Sequence, residues 1–141
     1  MRCLGVTASV YYSSFSATGG TVVTPGDGYT YHAFTTVGSA SSFTVNSGNS
    51  AVEYLVIAGG GSGANGTSTV GRAGGGAGGL LYGTTTVSAG TYSVTVGAGG
   101  QSVSASTGAN NGSNSVFSTI ATAVGGGGGG SANGGNGASG G

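Results

Sequence analysis

The stretch that decides the fold is Val52-Glu53-Tyr54-Leu55-Val56-Ile57-Ala58-Gly59-Gly60-Gly61, where a run of β-branched and aromatic residues breaks directly into glycine. Val, Ile and Tyr suit a pleated strand, and beyond Glu53 the run is apolar at odd and even positions alike. That pattern predicts a central strand covered on both faces. The abrupt change at Ala58 repeats elsewhere. Glycine-rich runs follow Val96 and Val124, and the run Ala73-Gly74-Gly75-Gly76-Ala77-Gly78-Gly79 precedes Leu80. Twenty-nine of the 36 glycines lie after Ala58. If neighbouring strands are antiparallel, the clusters starting at Ala58 and Ala73 gather at one end of the fold. The expectation is a pole built from glycine rather than scattered loops.

Outward from that stretch, no window repeats apolar residues at the three-and-four spacing of a helix, and the glycine and threonine content opposes one. The chain reads as all-β, an antiparallel sandwich of jelly-roll type with ordered glycine-rich loops. Strands are expected near residues 8–15, 20–24, 30–36, 42–45, 52–58, 80–87, 91–96 and 116–123. Tyr92, Val94 and Val96 alternate with Thr91, Ser93 and Thr95, giving that strand one buried and one wet face. The Ala89-Gly90 pair before it predicts a hairpin with residues 83–87. Phe34, Phe43, Leu81, Phe117 and Ile120 complete the expected core, each contributing about 1.5–3 kcal/mol when fully buried. Three parts are expected: residues 1–19 as an attachment or assembly segment, residues 20–124 as the sandwich, and residues 125–141 as a glycine-rich end.

Composition alone would suit flexible glycine tails. The ordered alternative is an extended left-handed chain of three residues per turn, of the polyglycine II kind, packed side by side through backbone hydrogen bonds. The six glycines at 125–130 would make two such turns, roughly 19 Å.

The inventory of chemistry is short. Only four side chains are charged, Arg2, Asp27, Glu53 and Arg72, and the formal net charge is zero. Nothing clusters Lys or Arg for nucleic acid or anionic lipid. A neutral surface also lacks the self-repulsion that keeps monomers apart, which favours association with copies of itself or with a larger particle. Cys3 has no partner within the chain for a disulfide or a cysteine metal site. No run approaches the roughly 20 apolar residues of a spanning helix, and residues 1–8 carry no signal-peptide core. Neither membrane insertion nor export by that route is expected.

Gly61-Ser62-Gly63-Ala64-Asn65-Gly66 matches G-x-G-x-x-G after a strand, yet no helix start follows and no acid occurs after Glu53. Dinucleotide binding needs both, so no cofactor is expected. Asp27 in Pro25-Gly26-Asp27-Gly28 reads as a turn residue and Glu53 as part of a core strand, which leaves no catalytic pair. His32, in a strand, reads as a structural histidine. Asn65-Gly66-Thr67 and Asn111-Gly112-Ser113 read as Asn-Gly turns. The residues best suited to touching a ligand are Arg72, Tyr82, Asn110 and Asn111, with Tyr11, Tyr12 and Tyr29 beside them. Arginine and asparagine would hydrogen-bond sugar hydroxyls and tyrosine would stack on a sugar ring. No catalytic or metal-ligating set is expected.

The ordered blocks from Glu53 to Gly61, Gly74-Gly75-Gly76-Ala77-Gly78-Gly79, Ala89-Gly90-Thr91-Tyr92-Ser93-Val94-Thr95-Val96-Gly97-Ala98-Gly99-Gly100, Asn111-Gly112-Ser113-Asn114-Ser115-Val116-Phe117 and residues 125–130 resemble the glycine-rich domain of tail fibres and other virion appendages of bacteriophages, notably marine ones. Tyr29-Thr30-Tyr31-His32-Ala33-Phe34 and Ser42-Phe43-Thr44-Val45 resemble its first strands, so the likeness covers about residues 20–141. It implies a non-enzymatic all-β module on the virion surface, a homo-oligomer and by preference a trimer. It also implies attachment to other virion proteins through the N-terminal segment and contact with a host-surface glycan. The chain departs in ending within what is commonly a longer glycine array and in the shortness of the region before the domain. A capsid decoration or head-fibre protein, or a self-assembling extracellular filament subunit, is the alternative expectation.

Overall fold

A computed structural model describes residues 14–65, 73–102 and 109–130. Cys3, Tyr11, Tyr12, Arg72, residues 66–67 of the first Asn-Gly-Thr, residues 131–141 and nearly all of the strand expected at 8–15 lie outside them. Among the described residues there is no helix. The described residues form seven strands in two antiparallel sheets: β1 (Ser16–Thr18), β2 (Thr21–Val23), β3 (Tyr31–Ala33), β4 (Ala40–Ile57), β5 (Leu80–Thr95), β6 (Ser115–Phe117) and β7 (Ala121–Ala123), ordered β1-β4-β5-β6-β7 in one sheet and β2-β3 in the other. The chain is therefore all-β, as its composition requires.

The frame is a two-stranded ribbon. β4 and β5 pair from Ala40↔Thr95 to Ile57↔Leu80, broken only by a shift between Val45 and Asn49. Four of the expected short strands are thus two long ones. The hairpin expected at Ala89-Gly90 does not form: both residues lie inside β5, and Gly90, at φ 155°, opposes Val45 where the register slips. Gly48, at φ 76°, supplies the left-handed residue on the other strand. The turn-forming residues make a kink in a continuous ribbon instead of a chain reversal. Tyr92 braces it, its hydroxyl accepting from Ser88 N–H at 3.0 Å and donating to Ser88 C=O at 3.1 Å.

That kink folds the ribbon back on itself. Phe43 and Tyr54 are eleven positions apart on β4, about 36 Å along a straight strand. Both rings nevertheless lie near Phe117, with centroids 6.3 and 6.0 Å away. One core accordingly receives Phe43 and Val45 from the first half of β4, Val52, Tyr54 and Val56 from the second, and Val87, Tyr92 and Val94 from β5. The strand expected between residues 116 and 123 is instead the hairpin β6–β7, reversed at Ser118 with φ 49°. Phe34 and Ile120 pack half-buried against the core as expected. Leu81 does not: although it opposes Val56 on the inner face, it lies outside the core cluster and stays 36 % exposed. Nor is β4 covered on both faces: Leu55 is 59 % and Ile57 55 % exposed. The inner face takes Val52, Tyr54 and Val56, and no second layer lies over the outer one among the described residues.

Both ends of the folded ribbon run into glycine. β4 continues as residues 58–64, β5 is preceded by residues 73–79 and followed by residues 97–101, and residues 109–114 and 124–130 flank β6–β7. At Ile57 the ladder period changes from two to three. Ala58, Gly61 and Ala64 donate their N–H groups to Gly79, Gly76 and Ala73 at 2.9, 2.9 and 3.0 Å. Gly59 and Ser62 donate to Ser113 and Asn110, while Gly126 and Gly129 donate to the carbonyls of Gly59 and Ser62. Gly100 donates to Gly60. Residues 58–64 therefore bond a different neighbour at each successive position, as a chain of three residues per turn must. None of the positive-φ glycines falls in these five segments. The expected gathering of the clusters at 58 and 73 is what the ladder displays.

The segments stand this close because glycine has no Cβ. At Gly61 a methyl group would collide with the Gly127 carbonyl, at Gly75 with that of Gly61, at Gly112 with that of Gly59 and at Gly126 with that of Gly76. At Gly74 it would meet nothing.

Candidate functional site

Outside the glycine bundle, Asp27 and Glu53 fall in one exposed cluster with three tyrosines. It is built by the β2–β3 connection and by the outer face of the second half of the ribbon. Gly26 and Gly28, both at φ 92°, shape the connection around Asp27. Asp27 Oδ1 accepts the Tyr29 N–H at 3.0 Å, an Asx-type turn, and Oδ2 accepts the Tyr31 hydroxyl at 2.8 Å. The Tyr29 and Tyr31 rings lie 6.1 Å apart, tilted by 43°. Glu53 comes from β4. Its carboxylate accepts the Tyr82 hydroxyl at 2.8 Å and the Tyr29 hydroxyl at 3.5 Å. Tyr82 stands opposite Leu55 in the register, so it is a diagonal neighbour of Glu53 on the same face.

The electrostatics follow from those bonds. The Tyr29 N–H, and then the Tyr31 hydroxyl, hold the Asp27 carboxyl below the usual carboxylate range. Tyr31 is pushed up chiefly by donating to Asp27, and Tyr82 by donating to Glu53 and by its negative charge. Both acids of the chain thus sit among three tyrosines of which Tyr82 is 65 % and Tyr29 56 % exposed. Such an arrangement offers ring faces for stacking and carboxylate oxygens as hydrogen-bond acceptors. Among the described residues no three His, Cys, Asp or Glu side chains gather as a metal would need.

The other residues singled out by sequence are placed differently. Tyr82 belongs to the cluster. Asn110 and Asn111 belong to the bundle: Asn110 donates its side-chain amide to the Gln101 carbonyl at 2.9 Å, and Asn111 Oδ1 accepts the Gly128 N–H at 2.8 Å. Three positions on, Asn114 Oδ1 accepts the Gly125 N–H at 2.9 Å, repeating the bundle's period with side chains. Asn111-Gly112 is consequently not the turn expected of it but part of an extended segment. Within the G-x-G-x-x-G match, Gly61 and Ser62 are bonded to Gly76 and Asn110. His32 donates from Nδ1 to the Gly19 carbonyl at 2.8 Å and stands edge-on to Phe43, centroids 5.0 Å apart. Sequence reasoning weighed Asp27 and Glu53 only as a catalytic pair, set the pair aside, and did not name Tyr31 as a ligand-contacting residue. That the only two acids of the chain each have tyrosines within reach, at Tyr29-x-Tyr31 and at Tyr82, was the available signal.

The model of the glycine-rich domain matches residues 35–141, well over half of the chain. The chain belongs to that family. No curated protein and no solved structure matches it. Within the glycine-rich domain lie all five bundle segments, β4 to β7, and Glu53 and Tyr82 of the cluster. Asp27, Tyr29 and Tyr31 lie before its start.

Proposed function

We propose that this chain is a non-enzymatic structural protein of a bacteriophage virion, a fibre or surface appendage that presents the tyrosine–carboxylate cluster to a glycan of the host surface. The observation that carries the reading is the cluster itself: exposed aromatic faces and acceptor oxygens held by a folded ribbon, with no acid or base beside them that the described fold commits to chemistry. The block-by-block resemblance to phage appendage domains supplies the setting. In this proposal the folded ribbon is a sandwich-like module capped by a polyglycine-II-like bundle. The bundle is a stiff end piece, copies associate as a trimer, and the protein sits on the outside of the particle, fixed to other virion proteins. The family match supports the module and is neutral on its setting.

A second reading has its own observation. Leu55, Ile57 and Leu80 form an exposed apolar strip on the ribbon face that also carries Tyr82, and such strips mark contacts with other proteins. In that reading the face is an interface and the role is architectural, as in a capsid decoration or head fibre, or a filament subunit. Particles carrying Tyr29→Ala with Tyr82→Ala separate the two. Intact particles that adsorb to host cells at least tenfold more slowly support attachment. Unchanged adsorption defeats it, and loss of assembly moves the role to architecture.

A further inference from the structure

Asn111-Gly112 is chemically the most labile pair a bundle segment could carry, because glycine puts no Cβ in the way of attack by its own nitrogen on the preceding side-chain amide. The reaction has a fixed course. The Gly112 nitrogen gives up its proton to a solvent base and bonds to Cγ of Asn111, the Cγ–Nδ2 bond breaks, and ammonia leaves. Water then opens the resulting succinimide, at Cγ to give aspartate or at the main-chain carbonyl carbon to give isoaspartate, in which the chain runs through Cβ and Cγ. The first step needs the Gly112 nitrogen free to swing about the Asn111 Cα–C bond. The bundle denies it that freedom. Gly112 N–H donates to the Gly126 carbonyl at 2.7 Å and Asn111 Oδ1 accepts the Gly128 N–H at 2.8 Å, so one facing segment holds both the attacking nitrogen and the amide it would attack. On either side, the Asn110 carbonyl accepts from Ser62 at 2.9 Å and the Ser113 carbonyl from Gly59 at 3.0 Å. Water is not what is lacking, since Asn111 is exposed. Nor can a slower pair take its place, because a Cβ at position 112 would collide with the Gly59 carbonyl.

We infer that Asn111 is a self-modification site gated by the bundle: silent while residues 109–114 and 124–130 are laddered, and converted through its succinimide when they part. The packing that demands the labile pair is also what silences it. Its rate in the folded protein is therefore set by how often the bundle opens locally. The product decides whether the bundle can close again. Ser62 and Gly59 donate to the carbonyls of residues 110 and 113, on either side of the altered peptide, and the spacing between those carbonyls matches the period of the 58–64 segment. Isoaspartate inserts one main-chain atom between them, lengthening the chain by roughly 1.5 Å. Good N–H···O bonds span only about 0.5 Å in length, so both cannot be kept. Aspartate leaves the main chain as it was, and a carboxylate oxygen still accepts the Gly128 N–H. Conversion to isoaspartate thus turns a reversible opening into a permanent one. The inference goes beyond the proposed function and does not depend on it.

Incubation of the full chain in mildly alkaline buffer, folded and in urea, tests the gate, with peptide mapping that separates asparagine, aspartate and isoaspartate at position 111. Conversion should be at least about tenfold slower in the folded protein than in the unfolded chain. Gly126→Ala, which disturbs the carbonyl that holds Gly112, should speed it under folding conditions, whereas Gly74→Ala should not. Equal rates in folded and unfolded chains, or equal rates in Gly126→Ala and Gly74→Ala, would overturn the gating. Hydrogen exchange after refolding tests the consequence. Asn111→Asp should keep the slow amides of Gly59 and Ser62, and isoaspartyl chains recovered from urea should lose that protection by at least about tenfold. Isoaspartyl chains that regain full protection, or Asn111→Asp chains that lose it equally, would overturn the role given to the added atom.

Discussion

At the scale of single residues, the decisive variable is where a glycine stands. Gly61, Gly112 and Gly126 face a carbonyl of the next segment, so Gly→Ala at any of them forces backbone apart and breaks its ladder bonds. The expected cost is at least the roughly 1–3 kcal/mol of overpacking, read as a fall in the urea midpoint. Gly74→Ala meets open space and should leave the midpoint unchanged or slightly raised, through lower entropy of the unfolded chain. Equal losses at Gly74 and Gly126 would contradict the packing described. A second prediction concerns protons. Asp27 is held below the usual carboxylate range, so its contribution is full above that range and is lost as pH falls through the lowered value. Tyr31 is held high, so its share is full below about 10 and is lost as pH rises through the raised value. Asp27→Asn should therefore move one tyrosine titration, followed at 295 nm, back toward about 10 while leaving the Tyr82 transition in place.

At the scale of elements, the kink in the β4–β5 ribbon sets the fold, because without it Phe43 and Tyr54 could not share Phe117. Gly48→Ala places a Cβ in a left-handed conformation at that kink, for an expected loss of about 1–2 kcal/mol in chemical denaturation. Here the sequence was legible in part. The alternation of Tyr92, Val94 and Val96 stated correctly which face is buried, and glycine runs abutting Ile57 and Leu80 announced segments that continue the strands. Ala89-Gly90 misled because turn chemistry reports a local backbone preference, while whether the chain reverses depends on the opposing strand and its bulge. Val52 to Ile57 misled for a related reason: an apolar run is compatible with two covers, and only the tertiary arrangement reveals that Leu55 and Ile57 stand exposed. The tyrosine–carboxylate cluster was legible as residues but not as a site, since it requires the β2–β3 connection to be brought against β4 from 24 positions away in sequence.

At the scale of the whole molecule there are two cores of different kinds. One is aromatic: Phe43, Tyr54 and Tyr92 surround Phe117, and Phe117→Ala is expected to cost about 3–5 kcal/mol in equilibrium unfolding. The other is made of peptide groups, and the amides of Gly59, Gly61, Ser62 and Gly126 should be among the slowest to exchange although no large side chain covers them. Gly125, Gly126, Gly128 and Gly129 donate in turn to Asn114, Gly59, Asn111 and Ser62, so one strand of glycine locks several others. An aromatic core can drift through evolution by compensating exchanges of large for small. A core of bare backbone has no such currency: a codon for glycine at Gly61 or Gly126 has no smaller neighbour to trade with, and every amino-acid replacement adds bulk. Inherited variation in such a lineage should be frozen along the inward-facing glycines and run freely at open places such as Gly74, so that novelty accumulates on the rim while the interior stays fixed.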